Sequence, residues 1–87
     1  MTGTDVRVTV RFYAAARAAA GVESEVIDLA PGSTLADAME QLRCRNAELG
    51  RVLRKCSYLC DGVAVRDLGA ELRGHQSVDV LPPFAGG

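Results

Sequence analysis

Gly86 and Gly87, the last two residues of the 87-residue chain, are the positions best suited to chemistry through the backbone. Because glycine has no Cβ, two consecutive glycines can pass through a channel too narrow for other residues and bring a terminal carboxylate beside a bound nucleotide or substrate. Pro82 and Pro83 fix φ and favour extended backbone, which predicts a stiff segment that holds the tail away from the body. From Pro83, four more residues add roughly 13 Å of reach. The alternative is a frayed terminus, where small residues are common.

The cysteines and the single histidine offer less chemistry than the tail. The chain has three cysteines, Cys44, Cys56 and Cys60, and an odd number cannot close a complete set of internal disulfides. No second pair of Cys or His completes a zinc site with Cys56 and Cys60. We therefore expect reduced, buried thiols that pack as small hydrophobic side chains, and we expect His75 in a turn. A cysteine that carries a persulfide is the alternative, if the protein handles sulfur.

The charge balance argues against two classes of partner. Ten basic and eleven acidic side chains leave a net charge of −1, whereas a nucleic-acid binder needs a basic excess to displace counterions. No apolar run approaches the roughly 20 residues that cross a bilayer, and the N-terminus lacks the charged-then-apolar pattern of a secretion signal. We expect one small cytoplasmic domain that binds neither nucleic acid nor membrane, and no metal.

Alternating apolar residues predict strands near both ends of the chain. Residues 6–12 alternate valine or phenylalanine with polar side chains, which indicates a half-buried strand with its apolar face inward. Tyr13 falls in the outward phase of this strand. Residues 23–29 read as a second strand, and residues 77–81 as a last one. Leu81, in the outward phase of the last strand, leads directly into the tail.

The main helix has a clear start signal. Thr34 and Asp37 stand three apart, as in a capping box with Asp in place of the usual Glu. An apolar stripe at helical spacing follows and predicts packing on the sheet. Its members are Leu35, Ala38, Met39 and Leu42.

Two shorter helices are predicted on either side of the main one. Residues 14–20 are alanine-rich, and Gly21 is a plausible stop. Two turns are too short to be stable alone, so this helix must lean on the sheet. Asn46 is a candidate cap for a weaker helix. Gly50 counts against this helix, because glycine has a low helix propensity.

The order of these elements predicts an α+β roll, in which a mixed sheet of four or five strands packs on one main helix. Asp61 and Gly62 lie between two short β-prone runs, which is a strong hairpin signal. We assign residues 1–81 to the folded domain and residues 82–87 to an extended C-terminal tail.

The ending Leu-Pro-Pro-Phe-Ala-Gly-Gly, residues 81–87, closely resembles the end of the small subunit of molybdopterin synthase. These subunits are the MoaD-type sulfur carriers of the ubiquitin-like β-grasp fold. Residues 8–14 are similar to the first strand of that family, and the resemblance covers residues 6–87. Further matches are Arg17, Gly21, Ser33, Thr34, Leu35 and Leu42.

The resemblance implies a two-stage chemistry at Gly87. An ATP-dependent partner that resembles ubiquitin-activating enzymes would adenylate the carboxylate, and sulfur from a persulfide donor would then displace AMP to leave a thiocarboxylate. The tail would enter the active site of the large synthase subunit and deliver sulfur to cyclic pyranopterin monophosphate. The chain would itself be non-catalytic and bind no cofactor. Two small and two large subunits would form a heterotetramer.

Candidate partner-binding residues follow from the tail and from the strand phases. Gly86 and Phe84 belong to the tail, and Leu81 and Tyr13 fall on the outer face of the sheet near its root. An exposed apolar patch of this kind is typical of a binding site. Arg17 would pair with an acidic patch on the activating enzyme, as the resemblance suggests, or be a solvated helix charge.

Three other functions stay open on these residues. The same carrier chemistry would serve thiamine or cysteine synthesis. As a ubiquitin-like modifier, the chain would be joined to lysines through an activated Gly87. The third alternative is a plain interaction module with an inert tail.

Overall fold

The computed structural model of the chain describes residues 6–83, so every prediction made for Phe84 to Gly87 lies outside the described residues. Within that range the chain forms five strands and three helices. In chain order they are β1 (Val6–Phe12), α1 (Ala14–Ala20), β2 (Ser24–Leu29), α2 (Leu35–Arg45), α3 (Ala47–Leu53), β3 (Ser57–Cys60), β4 (Val63–Ala64) and β5 (His75–Leu81). The predicted α+β class is confirmed.

The five strands form one mixed sheet in the order β2-β1-β5-β3-β4. The first and last strands, β1 and β5, are parallel neighbours, and the other pairs are antiparallel. Strand β5 therefore lies at the centre of the sheet, with β1 on one side and β3 on the other. The strand that leads into the tail is thus hydrogen-bonded along both edges.

The core lies between the inner face of the sheet and the predicted stripe of α2. Val10 of β1 stands opposite Val78 of β5, and both side chains are fully buried. Burying a side chain of this size contributes about 1.5–3 kcal/mol, so the inward phase of each strand is strongly fixed. The buried residues of β1, β5 and α2 are Val6, Val8, Val10, Phe12, Val78, Val80, Leu35, Ala38, Met39 and Leu42.

The predicted helix signals are confirmed. The backbone N–H of Asp37 donates to Thr34 Oγ1 at 3.2 Å, and the N–H of Thr34 donates to Asp37 Oδ2 at 2.9 Å, which completes the capping box. Asn46 Oδ1 accepts from the N–H of Leu49 at 3.0 Å and caps α3. Gly21 ends α1 at φ 80°, a left-handed conformation that glycine adopts without steric cost.

Gly50 is explained by packing between helices rather than by helix propensity. A Cβ built at this position would lie 2.5 Å from Cγ of Arg43 on α2. The glycine therefore lets α3 pass close to the Arg43 side chain of α2, at a position where glycine costs roughly 1 kcal/mol of helix propensity.

The predicted hairpin is also confirmed. Asp61 and Gly62 connect β3 to β4 with φ values of 49° and 84°, as a two-residue turn of the primed type requires. Asp61 also accepts from the backbone N–H of Ser77 at 3.0 Å, which ties the turn to β5.

The prediction of buried thiols is wrong for Cys44, which is exposed because it lies on the side of α2 away from the apolar stripe. Cys56 and Cys60 are half-buried and pack against the core. Burial raises the pKa of the Cys56 thiol and so disfavours the reactive thiolate. All three thiols are free.

Tyr58 gives a test of the link between β3 and α3. Its buried hydroxyl donates to the carbonyl of Leu53 at 2.9 Å, and burial raises the pKa of Tyr58 to about 12. Tyr58→Phe should lower the free energy of unfolding by about 1 kcal/mol at pH 7, measured by urea denaturation.

The effect of this substitution should depend on pH. In the unfolded chain the phenol ionises near pH 10, so its contribution to the free energy of unfolding should be complete below that pH and decline as the pH rises through 12. The difference in free energy of unfolding between the native chain and Tyr58→Phe should therefore narrow as the pH rises from 10 to 12. A constant difference would contradict the buried neutral phenol. Tyr13→Phe is the matched control, because the Tyr13 side chain is exposed.

Candidate functional site

The point at which the chain leaves the sheet is fixed from both sides. Leu81, the last residue of β5, pairs with Ser57 of β3, and Val80 pairs with both Tyr58 of β3 and Phe12 of β1. A strand that is paired along both edges opens only with the core. The C-terminal segment therefore starts from a rigid root, formed by the end of β5.

The two prolines do not both point away from the body, as the sequence predicted. Pro82 is buried, and Pro83 is exposed and lies in a turn. Because Pro82 has no N–H, it ends the strand without leaving a donor unpaired. The stiff segment is thus anchored at its first residue. The domain boundary after Leu81 stays a prediction, since residues 84–87 are outside the described range.

A polar cluster lies on the outer face of the sheet beside the root. Asp79 of β5 stands opposite Arg11 of β1, and Arg11 Nε donates to Asp79 Oδ1 at 2.7 Å. The hydroxyl of Tyr13 lies 3.4 Å from the same oxygen. The Asp79 side chain is only 13% exposed, whereas that of Arg11 is 48% exposed. The hydrogen bond to Asp79 raises the pKa of Arg11, so the guanidinium stays charged.

Tyr13 owes its position to a sharp turn between β1 and α1. Ala14 adopts φ 50°, a left-handed conformation that is costly for residues with a Cβ. Tyr13 is 39% exposed, in agreement with its predicted outward phase. The register that pairs Phe12 with Val80 places Tyr13 and Leu81 at neighbouring backbone positions. Leu81 is half-buried, so the apolar surface here is smaller than two exposed side chains would give.

Arg17 lies on the same side of the molecule as Tyr13. Both residues line a shallow concavity of about 230 Å³. Arg17 Nη2 donates to Glu23 Oε2 at 2.9 Å, and both side chains are more than half exposed. An exposed pair of this kind contributes little to stability and leaves Arg17 accessible.

Sequence reasoning missed Arg11 and Asp79. The available signal was a pair of opposite charges in the outward phases of the first and last strands. These opposite charges indicate an ion pair only if the two strands are parallel neighbours, and a local sequence pattern does not show which strands are neighbours. Phe84, Gly86 and Gly87 lie outside the described residues, and their roles stay predictions.

Between Val6 and Pro83, no group of three or more His, Cys, Asp or Glu side chains is placed to hold a metal ion. Over the same range, the helices are too short or too polar to cross a bilayer.

Comparison with known proteins agrees with the fold. The model of the ThiS family matches residues 10–87. The molybdopterin synthase sulfur carrier subunit of Chlamydomonas reinhardtii is 26% identical over 83 residues, which cover 94% of this chain and 100% of that protein.

Three solved structures have the same architecture. A putative molybdopterin converting factor, subunit 1, from Pyrococcus furiosus has a TM-score of 0.81 and 27% identity, over 90% of this chain and 98% of that one. SAMP1 from Haloferax volcanii has a TM-score of 0.80 and 22% identity, over 93% and 99%. A chain in the complex of subunits 1 and 2 of molybdopterin-converting factor from Helicobacter pylori has a TM-score of 0.68 and 21% identity, over 94% and 100%. The last two likenesses, below 25% identity, concern the fold alone. The predicted ubiquitin-like β-grasp fold is confirmed, and the chain belongs to the ThiS family.

Proposed function

We propose that this chain is the sulfur carrier subunit of a molybdopterin synthase. The observation that carries the proposal is the rigid root: central strand β5 runs into Pro82 and Pro83, four residues before Gly87. A group carried on Gly87 would have roughly 13 Å of reach from a fixed origin. Membership of the ThiS family supports the proposal, as do the names of the Chlamydomonas and Pyrococcus relatives.

Activation would take place at the Gly87 carboxylate, which is a poor electrophile until it is converted to a mixed anhydride. A carboxylate oxygen attacks the α-phosphorus of ATP, and pyrophosphate leaves. The terminal sulfur of a protein persulfide then attacks the acyl carbon, and AMP leaves. A thiol then attacks the donor's sulfur atom in the resulting acyl disulfide. This step joins the thiol and the donor in a new disulfide and releases Gly87 as a thiocarboxylate. The ATP and the acid–base groups belong to an activating partner, as for other covalent carriers.

Delivery would require a second partner, the large synthase subunit. The thiocarboxylate sulfur would bond to a carbon of cyclic pyranopterin monophosphate as an oxygen substituent leaves that carbon. Water would then cleave the acyl–sulfur bond, which leaves the sulfur on the pterin and returns Gly87 to the carboxylate. The Helicobacter complex supports a large-subunit partner for a chain of this fold. We infer a cytoplasmic heterotetramer of two small and two large subunits. In this arrangement the small subunit supplies the sulfur and its reach, and its partner supplies the catalytic residues.

Docking would use the outer face of the sheet around the root. Tyr13 is the exposed aromatic there, and half-buried Leu81 is its neighbour. Phe84 and Gly86 would continue this surface along the tail, and Arg17 would meet an acidic patch on the activating enzyme. The Arg11–Asp79 pair would position the Tyr13 ring, since the hydroxyl lies 3.4 Å from Asp79.

Removing Gly87 tests the proposed chemistry. The shortened chain should fail to sulfurate the pterin in a reconstituted reaction with the large subunit, the activating enzyme, ATP and a persulfide donor. Its free energy of unfolding should change by less than about 0.5 kcal/mol, because the deletion lies five positions beyond Pro82, the last buried residue among those described. Urea denaturation measures the second quantity.

The control variant is Ala85→Ser, which keeps the length of the tail and its last two glycines. Full sulfuration by the chain that lacks Gly87 would support the inert interaction module instead. Sulfuration of a thiamine or cysteine precursor, but never of the pterin, would assign the carrier to another pathway. Isopeptide adducts in cell extracts would identify a protein modifier.

Tyr13→Ala tests the proposed docking surface. Loss of an exposed aromatic at the centre of an interface typically costs about 2 kcal/mol or more, so the dissociation constant of the large-subunit complex should rise at least about tenfold. Tyr13→Phe keeps the ring but loses the contact of the hydroxyl with Asp79, so its dissociation constant should fall between those of the native chain and Tyr13→Ala. Calorimetric titration measures both. Val63→Ala is the control, because Val63 is exposed on the distant edge strand β4. Equal affinities of Tyr13→Ala and Val63→Ala for the large subunit would contradict the proposal that Tyr13 lies in the docking surface.

A further inference from the structure

A second surface adjoins the tail root on the helix side of the sheet. Pro82 and Pro83 line a groove of about 400 Å³. Its other apolar lining residues, which we call its floor, are Ala14 and Ala15, at the start of α1, and Val52 of α3. The outer-face residues Tyr13 and Asp79 do not line this groove, so the root separates two distinct surfaces.

Two cations, Arg51 and Lys55, also line the groove, and we call them its rim. Lys55 is exposed and has no ion-pair partner between residues 6 and 83. Arg51 lies 3.8 Å from Glu48, and their side chains are 76% and 67% exposed. Such a long, exposed pair holds Arg51 weakly. Both positive charges are therefore free to meet an anionic partner, and we name this surface the basic groove.

We propose that the basic groove binds an acidic segment of the large synthase subunit, beside the opening that receives the tail. The inference rests on the proposed function and names a contact of the same site. Its first ground is continuity, because Pro82 and Pro83 belong both to the groove and to the base of the tail. A subunit that encloses the tail must cover its base, and so must lie over the groove.

The second ground is charge complementarity. Arg51 and Lys55 give the rim a local excess of positive charge on a chain whose net charge is −1. Such patches steer a partner of opposite sign and fix its register. The apolar floor of Ala14, Ala15 and Val52 fits an apolar side chain between two carboxylates. A protein segment offers that alternation, whereas a phosphate backbone does not.

Charge reversal and steric filling test the two halves of the proposal separately. The variant Arg51→Glu/Lys55→Glu reverses the rim, and Ala15→Trp fills the floor without changing charge. The matched control is Arg66→Glu/Arg73→Glu, since these two cations, like Lys55, have no ion pair among residues 6–83. Arg73 precedes β5, and the length of that strand separates it from Pro82 by about 20 Å.

The measurement is the dissociation constant for the cognate large subunit, by calorimetry, at low and high salt. At low salt the rim variant should bind at least tenfold more weakly, and this difference should shrink at 1 M salt, where the Debye length is about 3 Å. Ala15→Trp should bind at least fivefold more weakly at both salt concentrations. The control pair should stay within twofold of the native chain. Thermal unfolding of each variant verifies that it is folded.

Native affinity in the rim variant or in Ala15→Trp would overturn the proposal while leaving the proposed function intact. Equal weakening by the control pair would also overturn it, because the effect would then be one of overall charge. Weaker binding to the activating enzyme alone would assign the groove to that partner instead. Failure of the native chain to bind the large subunit would refute the proposed function together with this inference.

Discussion

The parallel pairing of β1 with β5 is the constraint on which the rest of the structure depends. It joins the first and last strands of the chain at the centre of the sheet and buries Val10 against Val78. It also holds β5 along one edge while β3 holds the other. The base of the C-terminal segment is therefore among the most firmly held parts of the molecule, although it is only a few residues from the end of the sequence.

The same pairing determines which residues surround that base. It sets Arg11 opposite Asp79 and brings Tyr13 to the position beside Leu81. On the other side of the sheet, the left-handed turn at Ala14 starts α1 next to Pro82 and α3, and the basic groove forms between them. In our account the central strand supplies rigidity, the tail supplies reach, and the two surfaces supply recognition. A carrier that visits two partners in turn needs these properties together.

The locally encoded features could be predicted from the sequence, and the non-local ones could not. The alternation in residues 6–12, the Thr34–Asp37 capping box and the Asp61–Gly62 turn each depend on neighbours within a few residues, and all three are confirmed. The Arg11–Asp79 pair joins residues 68 apart in sequence, so it required knowledge of the topology.

Packing explains the other differences between the sequence predictions and the structure. Gly50 lowers helix propensity, yet the side chain of Arg43 lies where a Cβ at position 50 would stand, so a larger residue there would displace that side chain. Cys44 is exposed because of its phase on α2. Pro82 is buried because α1 and α3 meet at the base of the tail, a meeting that neither helix pattern indicates.

The central claim is that Gly87 carries sulfur, and the intact mass of the protein tests it most directly. The chain would be incubated with ATP, an activating enzyme of the ubiquitin-activating type and a persulfide donor, and then weighed and fragmented. If Gly87 carries sulfur, the mass should rise by the replacement of one oxygen by sulfur, and this gain should be located at Gly87 and be absent when ATP is omitted. An unchanged mass with every activating enzyme of the source organism, or a sulfur located on Cys44, Cys56 or Cys60 instead, would contradict it.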